Sequence, residues 1–216
     1  MPLFVVYQVG VLTTGGAVNG VDFTTRTLFS LTGGKLSWYL AFNGAVLVGL
    51  LIALKTLPKK KKLHAGVWAW VVIESTLYAF FLSGVVNSII TGVLHVSPPL
   101  MVGGLTAGGK VIMSIGAGFF EELVFRLLLL SGLVALLHRL FLVPRAVAAV
   151  VGVLVSSFIF SAAHYLGPAG EALVVYSFLF RFLAGVIFAV IFWQRGFAVA
   201  VYTHAIYDIF VLVVFA

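Results

Sequence analysis

The chain contains 216 residues, of which 62% are hydrophobic and only 9% are charged, with 13 Lys and Arg against 6 Asp and Glu and no cysteine. Because a soluble domain carries about 25% charged residues, this composition excludes a soluble globular protein, a disordered chain and an ordinary nucleic-acid binder. The absence of cysteine excludes disulfides, a thiol nucleophile and thiolate metal ligands. The sequence therefore predicts an integral membrane protein made of one helical bundle.

Apolar segments long enough to cross a bilayer recur along the chain, since about 20 apolar residues span about 30 Å of hydrocarbon. Residues 1–35 contain an apolar stretch too short to span, followed by Thr- and Gly-rich sequence, and we interpret them as a re-entrant or interfacial segment outside the cytoplasm. Six spans are predicted after it, at 36–57, 65–94, 111–137, 146–166, 172–193 and 197–216. The expected fold is an all-α, polytopic transmembrane helical bundle over residues 36–216.

Basic residues are divided unequally between the two ends of these predicted spans. Three fall at one end, namely Arg26, Lys35 and Lys110. Eight fall at the other end, namely Lys55, Lys59, Lys60, Lys61, Lys62, Arg139, Arg145 and Arg195. Because cytoplasmic loops carry an excess of Lys and Arg, the lysine run is expected to face the cytoplasm and anionic lipid. The expected location is a bacterial or archaeal cytoplasmic membrane.

Ionisable side chains also lie inside the predicted spans, where a charge costs roughly 2.5–3.5 kcal/mol. They comprise four carboxylates, two guanidiniums and two imidazoles, namely Glu74, Glu121, Glu122, Asp208, Arg126, Arg181, His164 and His204. The surplus carboxylates must be protonated, neutralised by a histidinium or bound to a cation. A surplus of this kind indicates a functional site, because a purely structural network of ion pairs would be expected to balance.

The spacing of these residues predicts how they are arranged. Glu122 and Arg126 are separated by four positions, so they share a helix face and can pair. Glu121 is rotated by about 100° from Glu122 and can point into a different space. His204 and Asp208 also share a face. We therefore expect side chains from three helices to converge, although a structural ion pair and interhelical hydrogen bonds are the alternative interpretation.

Three motifs occur in order in three separate predicted spans. They are Glu121-Glu122-Leu-Val-Phe-Arg126, Phe160-Ser-Ala-Ala-His164 and His204-Ala-Ile-Tyr-Asp208. These motifs resemble the Glu-Glu-x-x-x-Arg, Phe-x-x-x-His and His-x-x-x-Asn/Asp motifs of the CPBP intramembrane proteases, the family of CAAX proteases and bacteriocin-processing enzymes. The resemblance covers residues 111–216 and places the catalytic core there.

The resemblance implies an intramembrane endopeptidase that cuts the membrane-proximal or C-terminal tail of a protein or peptide, which is prenylated or carries a C-terminal sorting signal. The matched residues then have the following roles: Glu121 and His164 activate water, His204 and Asp208 stabilise the oxyanion, Glu122 and Arg126 hold the geometry, and Phe125 and Phe160 bind substrate. Aspartate departs from the asparagine of the family motif, because an ionised carboxylate cannot donate a hydrogen bond.

Other functions remain open at this stage. No cofactor is favoured, but the alternative is a zinc-dependent protease in which Glu121, His164, His204 and Asp208 bind Zn²⁺. A second alternative is a non-catalytic immunity or scaffold protein that keeps the fold. A third is a transporter, since membrane carboxylates often relay protons, although the sequence shows no internal repeat.

Overall fold

The computed structural model of the chain describes residues 2–14, 27, 32–56, 65–95, 106–166 and 170–214. The helices in these ranges follow the apolar runs of the sequence, and these ranges contain no strand. Most of the Thr- and Gly-rich part of the N-terminal segment lies outside the described residues. The lysine run at 59–62 lies outside them as well, and its cytoplasmic position stays a prediction.

The helices are numbered here in chain order. The first three are α1 (Pro2–Thr14), α2 (Leu36–Thr56) and α3 (Ala65–Asn87), which continues as π-helix over Ser88–Val93. Next, α4 (Ala107–Glu121), a π-helical segment (Glu122–Leu130) and α5 (Ser131–Arg139) form one uninterrupted helical stretch. The last three are α6 (Arg145–Ala163), α7 (Val175–Arg195) and α8 (Phe197–Ile209), which continues as π-helix over Phe210–Val214.

Five helices in the described part of the chain are long and apolar enough to cross a membrane. They are Leu36–Ala53, Gly66–Val93, Arg145–Ala163, Val175–Arg195 and Phe197–Val214. The span predicted at 111–137 corresponds to the helical stretch 107–139, which carries the charged residues Glu121, Glu122 and Arg126 and is not among the five. The helical polytopic bundle is thus confirmed, with five clear candidate spans in place of the six predicted.

Helix α8 is at the centre of the bundle, where it packs against α3, α4 and α7. Helices α6 and α7 pack against each other, and α1 packs on α4. The buried face of α1 is formed by Phe4, Tyr7 and Val11, which join Phe119 and Phe120 of α4 in one hydrophobic cluster. Helix α1 therefore packs against the two residues of α4 that immediately precede Glu121.

Two glycines allow close packing next to the three sequence motifs. A Cβ atom on Gly118 of α4 would lie 2.6 Å from the backbone nitrogen of Ala205 in α8, so these two helices are in direct backbone contact. A Cβ atom on Gly185 of α7 would lie 3.1 Å from Phe160 Cδ1 and 3.4 Å from Arg126 Nη2. Side chains at either position would displace the residues that carry the motifs.

Candidate active site

Glu121 lies between two imidazole rings that come from different helices. Its Oε1 atom is 3.8 Å from His164 Nε2, and its Oε2 atom is 3.7 Å from His204 Nε2. These separations exceed a direct hydrogen bond and fall in the range where one water molecule can contact both groups. The structure therefore brings together the residues of three motifs that are far apart in the sequence.

His164 is placed differently from the sequence prediction, which put it inside the fourth span. Helix α6 ends at Ala163, and His164 is the residue that terminates it, with its backbone N–H bonded three residues back to the carbonyl of Ser161. Its ring Nδ1 lies 2.9 Å from the carbonyl of Phe160. This contact fixes the ring so that Nε2 faces Glu121.

Glu122, the second acid of the first motif, contacts two basic side chains. Its Oε1 atom accepts a hydrogen bond of 2.8 Å from Nδ1 of His204 and lies 3.2 Å from Nη1 of Arg126. Arg126 Nη2 also donates to the carbonyl of Gly185, at 3.2 Å. Glu122 and Arg126 are completely buried, at 0% and 1% exposure. The predicted pair of Glu122 and Arg126 is therefore present, and the Glu122 carboxylate also accepts a hydrogen bond from His204 of the third motif.

Aromatic rings enclose these charged groups. The guanidinium carbon of Arg126 lies 4.3 Å from the centre of the Phe160 ring and 5.5 Å from that of Phe188. Phe188 is stacked on the ring of His204, with centroids 4.4 Å apart and planes 15° apart. Such cation–π and stacking contacts stabilise buried positive charge. Sequence analysis missed Phe188, although it lies one helical turn after Gly185 on the same face of α7.

The two phenylalanines assigned to substrate binding form a wall of the cluster. Phe125 and Phe160 are in edge-to-face contact, with centroids 5.3 Å apart, and they are 5% and 3% exposed. Phe160 also contacts the rings of His164 and His204. In this arrangement both side chains pack against site residues, and their contact with a substrate stays a prediction.

Asp208 lies at the more accessible side of the cluster. Its Oδ2 atom is 3.6 Å from Nε2 of His204, one helical turn earlier on α8. The side chains of Asp208 and His164 are 21% and 16% exposed, whereas those of Glu121 and His204 are 4% and 5% exposed. The site is thus closed at Glu122 and open toward His164 and Asp208.

Two of the charges counted inside the spans have partners elsewhere. Glu74 accepts two hydrogen bonds from Arg195, and Arg181 donates to both carboxylate oxygens of Glu171 and to the hydroxyl of Tyr165. The surplus of carboxylates expected from the sequence is therefore located at the candidate site. Three carboxylates surround His204 there, with one buried guanidinium, namely Glu121, Glu122, Asp208 and Arg126.

The four residues named as alternative zinc ligands all lie in this cluster. In the ranges that the structure describes, no group of three or more His, Cys, Asp or Glu side chains is placed so that it could hold a metal ion. The arrangement of Glu121, His164, His204 and Asp208 therefore gives the zinc-dependent alternative no support.

The π-helical segment Glu122–Leu130 begins immediately after Glu121. π-Helical turns are rare and occur frequently at functional sites. Ser131 donates its hydroxyl hydrogen to the carbonyl of Arg126, five residues earlier, at 3.1 Å. No sequence signal for this change of helix type was available, because the apolar residues on either side fit an ordinary α-helix.

The fold and this cluster define a polytopic helical membrane protein with a buried acid–imidazole site. Residues 105–210 match the family described as Type II CAAX prenyl endopeptidase Rce1-like, and they contain all three motifs. This match supports a member of the CPBP family of CAAX proteases, as the resemblance of the motifs predicted. No curated protein and no solved structure matches the chain.

Proposed function

We propose that the chain hydrolyses a peptide bond in the membrane-proximal or C-terminal tail of a protein or peptide substrate. The observation that carries this proposal is the position of the Glu121 carboxylate between the Nε2 atoms of His164 and His204, at 3.8 and 3.7 Å. Membership of the family supports the reaction class. Prenylated tails and C-terminal sorting tails are the substrate classes to test first.

Glu121 and His164 together activate the attacking water in this proposal. Because a carbonyl oxygen can only accept, Nδ1 of His164 must carry the hydrogen that bonds to Phe160. In the neutral ring, Nε2 then keeps its lone pair on the side of Glu121. A water between the two groups can donate to both, and transfer of one proton to Glu121 makes it a nucleophile.

His204 supplies the positive charge that the developing oxyanion requires. Its Nδ1–H donates to Glu122, so Nε2 can donate a hydrogen bond only when the ring is an imidazolium. Three nearby carboxylates favour that cationic form. Asp208, 3.6 Å from Nε2, then acts by stabilising and orienting the imidazolium, which accounts for an aspartate where donation by an amide would be expected.

The bonds made and broken balance with these residues alone. The oxygen of the water adds to the scissile carbonyl carbon, its proton passes to Glu121, and the carbonyl oxygen becomes an oxyanion that accepts from His204. Collapse of this intermediate breaks the C–N bond, and Glu121 returns the proton to the leaving nitrogen. The products are a new carboxylate terminus and a new amine terminus.

Turnover of a fluorogenic prenylated CAAX peptide by the purified full chain tests the activity directly. We expect the substitution Glu121→Gln to lower turnover by at least about 100-fold, the range for loss of a general base. The matched control is Glu74→Gln, because Glu74 is an acid of α3 that pairs with Arg195 away from the site. This control is expected to keep wild-type turnover.

Mass spectrometry of membrane-protein termini identifies the natural substrate and its cut site together. Cells with the wild-type chain should contain new termini that are missing from cells with the Glu121→Gln variant. A variant that folds, inserts and preserves every terminus and phenotype of the wild type would refute the proposed hydrolysis and support a non-catalytic scaffold.

We also propose that the lysine run at 59–62 faces the cytoplasm of a bacterial or archaeal cell, as the distribution of basic residues indicates. The chain has no cysteine, so single cysteines introduced at Lys60 and at Glu171 report on one site each. Labelling of Lys60→Cys from outside the intact cell would contradict this orientation.

A further inference from the structure

A cavity lies apart from the candidate active site, where α5, α6 and α7 meet at the opposite end of α6 from His164. It has a volume of about 450 Å³ and is lined by Ser131, Val134, Ala135, His138, Arg139, Arg145 and Trp193. His164 follows Arg145 by 19 positions, about 28 Å along the helix at 1.5 Å per residue. The proposed hydrolysis does not involve this cavity.

The two arginines of the cavity have no anionic partner among the described residues. All five described carboxylates are committed elsewhere, to the candidate site or to the pairs with Arg195 and Arg181. Helix α6 also begins at Arg145 without a side-chain cap, so the positive end of its dipole lies beside the cavity. Arg139 lies in the last turn of α5, whose negative dipole end adjoins the same loop, so the positive charge at the cavity comes from the two guanidiniums themselves.

The surroundings of the cavity are those of a membrane–water interface. The loop between Arg139 and Arg145 exposes Leu140, Phe141 and Leu142, and Leu142 is 83% exposed with a positive φ of 54°. A leucine rarely adopts this conformation, and in this loop it directs an apolar side chain outward. Trp193 lines the same cavity, and tryptophan is typical of the headgroup level.

We propose that this cavity binds the phosphate group of an anionic phospholipid, with Arg139 and Arg145 holding the phosphate. Guanidinium groups bind phosphate oxygens through paired N–H donors. The cavity volume suits a lipid headgroup, and the neighbouring apolar loop reaches the acyl chains. A phospholipid is favoured over free phosphate because the charged and apolar surfaces are adjacent, as the charged and apolar parts of a lipid are.

Native mass spectrometry of the full chain in detergent tests the site, with added dioleoyl phosphatidylglycerol, dioleoyl phosphatidylcholine or inorganic phosphate as separate probes. We expect selective retention of phosphatidylglycerol. The double substitution Arg139→Gln and Arg145→Gln should weaken it by on the order of 30-fold, since each basic residue near an anionic surface contributes roughly fivefold. The control Lys35→Gln and Lys110→Gln removes the same charge elsewhere and should leave binding unchanged.

Four results would overturn the proposal. The first is equal binding of the two lipids. The second is phosphatidylglycerol binding that survives the double arginine substitution, and the third is an equal loss of binding in the lysine control. The fourth is arginine-dependent binding of inorganic phosphate with no retention of lipid, which would assign the cavity to a soluble anion. Thermal unfolding of the arginine variant, which changes only exposed side chains, checks that lost binding reflects the cavity and not misfolding.

Discussion

The contact between Gly118 and Ala205 gives a sharp prediction, because it sets the distance between the helices that carry Glu121 and His204. The substitution Gly118→Ala would place a Cβ atom 2.6 Å from the backbone nitrogen of Ala205, 2.8 Å from its Cβ and 2.9 Å from its Cα. The neighbouring atoms include backbone, so no side-chain rotation can relieve the clash. Helices α4 and α8 must move apart by roughly 1 Å to restore ordinary van der Waals separation.

This displacement has two expected consequences. Overpacking of this kind costs about 1–3 kcal/mol of folding stability, offset in part by roughly 1 kcal/mol from the better helix propensity of alanine. The effect on turnover is larger, because the 3.7 Å separation of Glu121 Oε2 from His204 Nε2 changes with the helix spacing. A misplacement of about 1 Å can lower the rate on the order of 100-fold.

The matched control is Gly132→Ala in the same uninterrupted helical stretch, where an added Cβ atom meets no other atom within 4 Å. We expect this control to raise thermal stability slightly and to leave turnover of the fluorogenic peptide unchanged. The assay compares turnover per folded molecule for Gly118→Ala, Gly132→Ala and the wild type. Wild-type turnover by the folded Gly118→Ala variant would refute the claim that this contact positions the site.

Three further predictions concern the charged groups and metal dependence. Replacement Glu122→Gln leaves Arg126 buried without its carboxylate, so we expect a loss of about 3–5 kcal/mol of stability, and an unchanged thermal melting curve would contradict this. Replacement Asp208→Asn should lower turnover by on the order of 10-fold, because the imidazolium of His204 loses a stabilising charge, and wild-type turnover would rule out this role. Protein shown by elemental analysis to be free of metal should keep full activity with and without added Zn²⁺, whereas activity that returns only with Zn²⁺ would restore the zinc-dependent alternative.

The helical bundle and the residues that form the candidate site could be predicted, because both depend on short-range patterns in the sequence. Apolar run lengths place the spans within a few residues of the observed helices, and the four-residue spacing predicts the contact of Glu122 with Arg126. The shared motifs of one family indicate that Glu121, His164 and His204 converge. The first two of these inferences use residue type and spacing alone, whereas the third also uses the resemblance to a known family.

Contacts between distant parts of the chain could not be predicted in this way. Glu74 and Arg195 are 121 positions apart, and Arg181 is neutralised by Glu171 in the loop before its own helix. The surplus of two carboxylates inside the spans is unchanged by these pairs, because they remove one acid and one base from the count, but the partners themselves were not predicted. The stacking of Phe188 on His204 depends equally on the packing of α7 against α8, which no local pattern specifies.

The change from α-helix to π-helix at Glu122 affects how the sequences of relatives should be compared with this one. A helical wheel drawn with 3.6 residues per turn across 107–139 loses its phase within 122–130 and assigns residues 131–139 to the wrong side of the helix. An extra or missing residue in this interval of a relative would then mark a gain or loss of the wide turn. Alignments should accordingly allow a single-residue gap between Arg126 and Ser131.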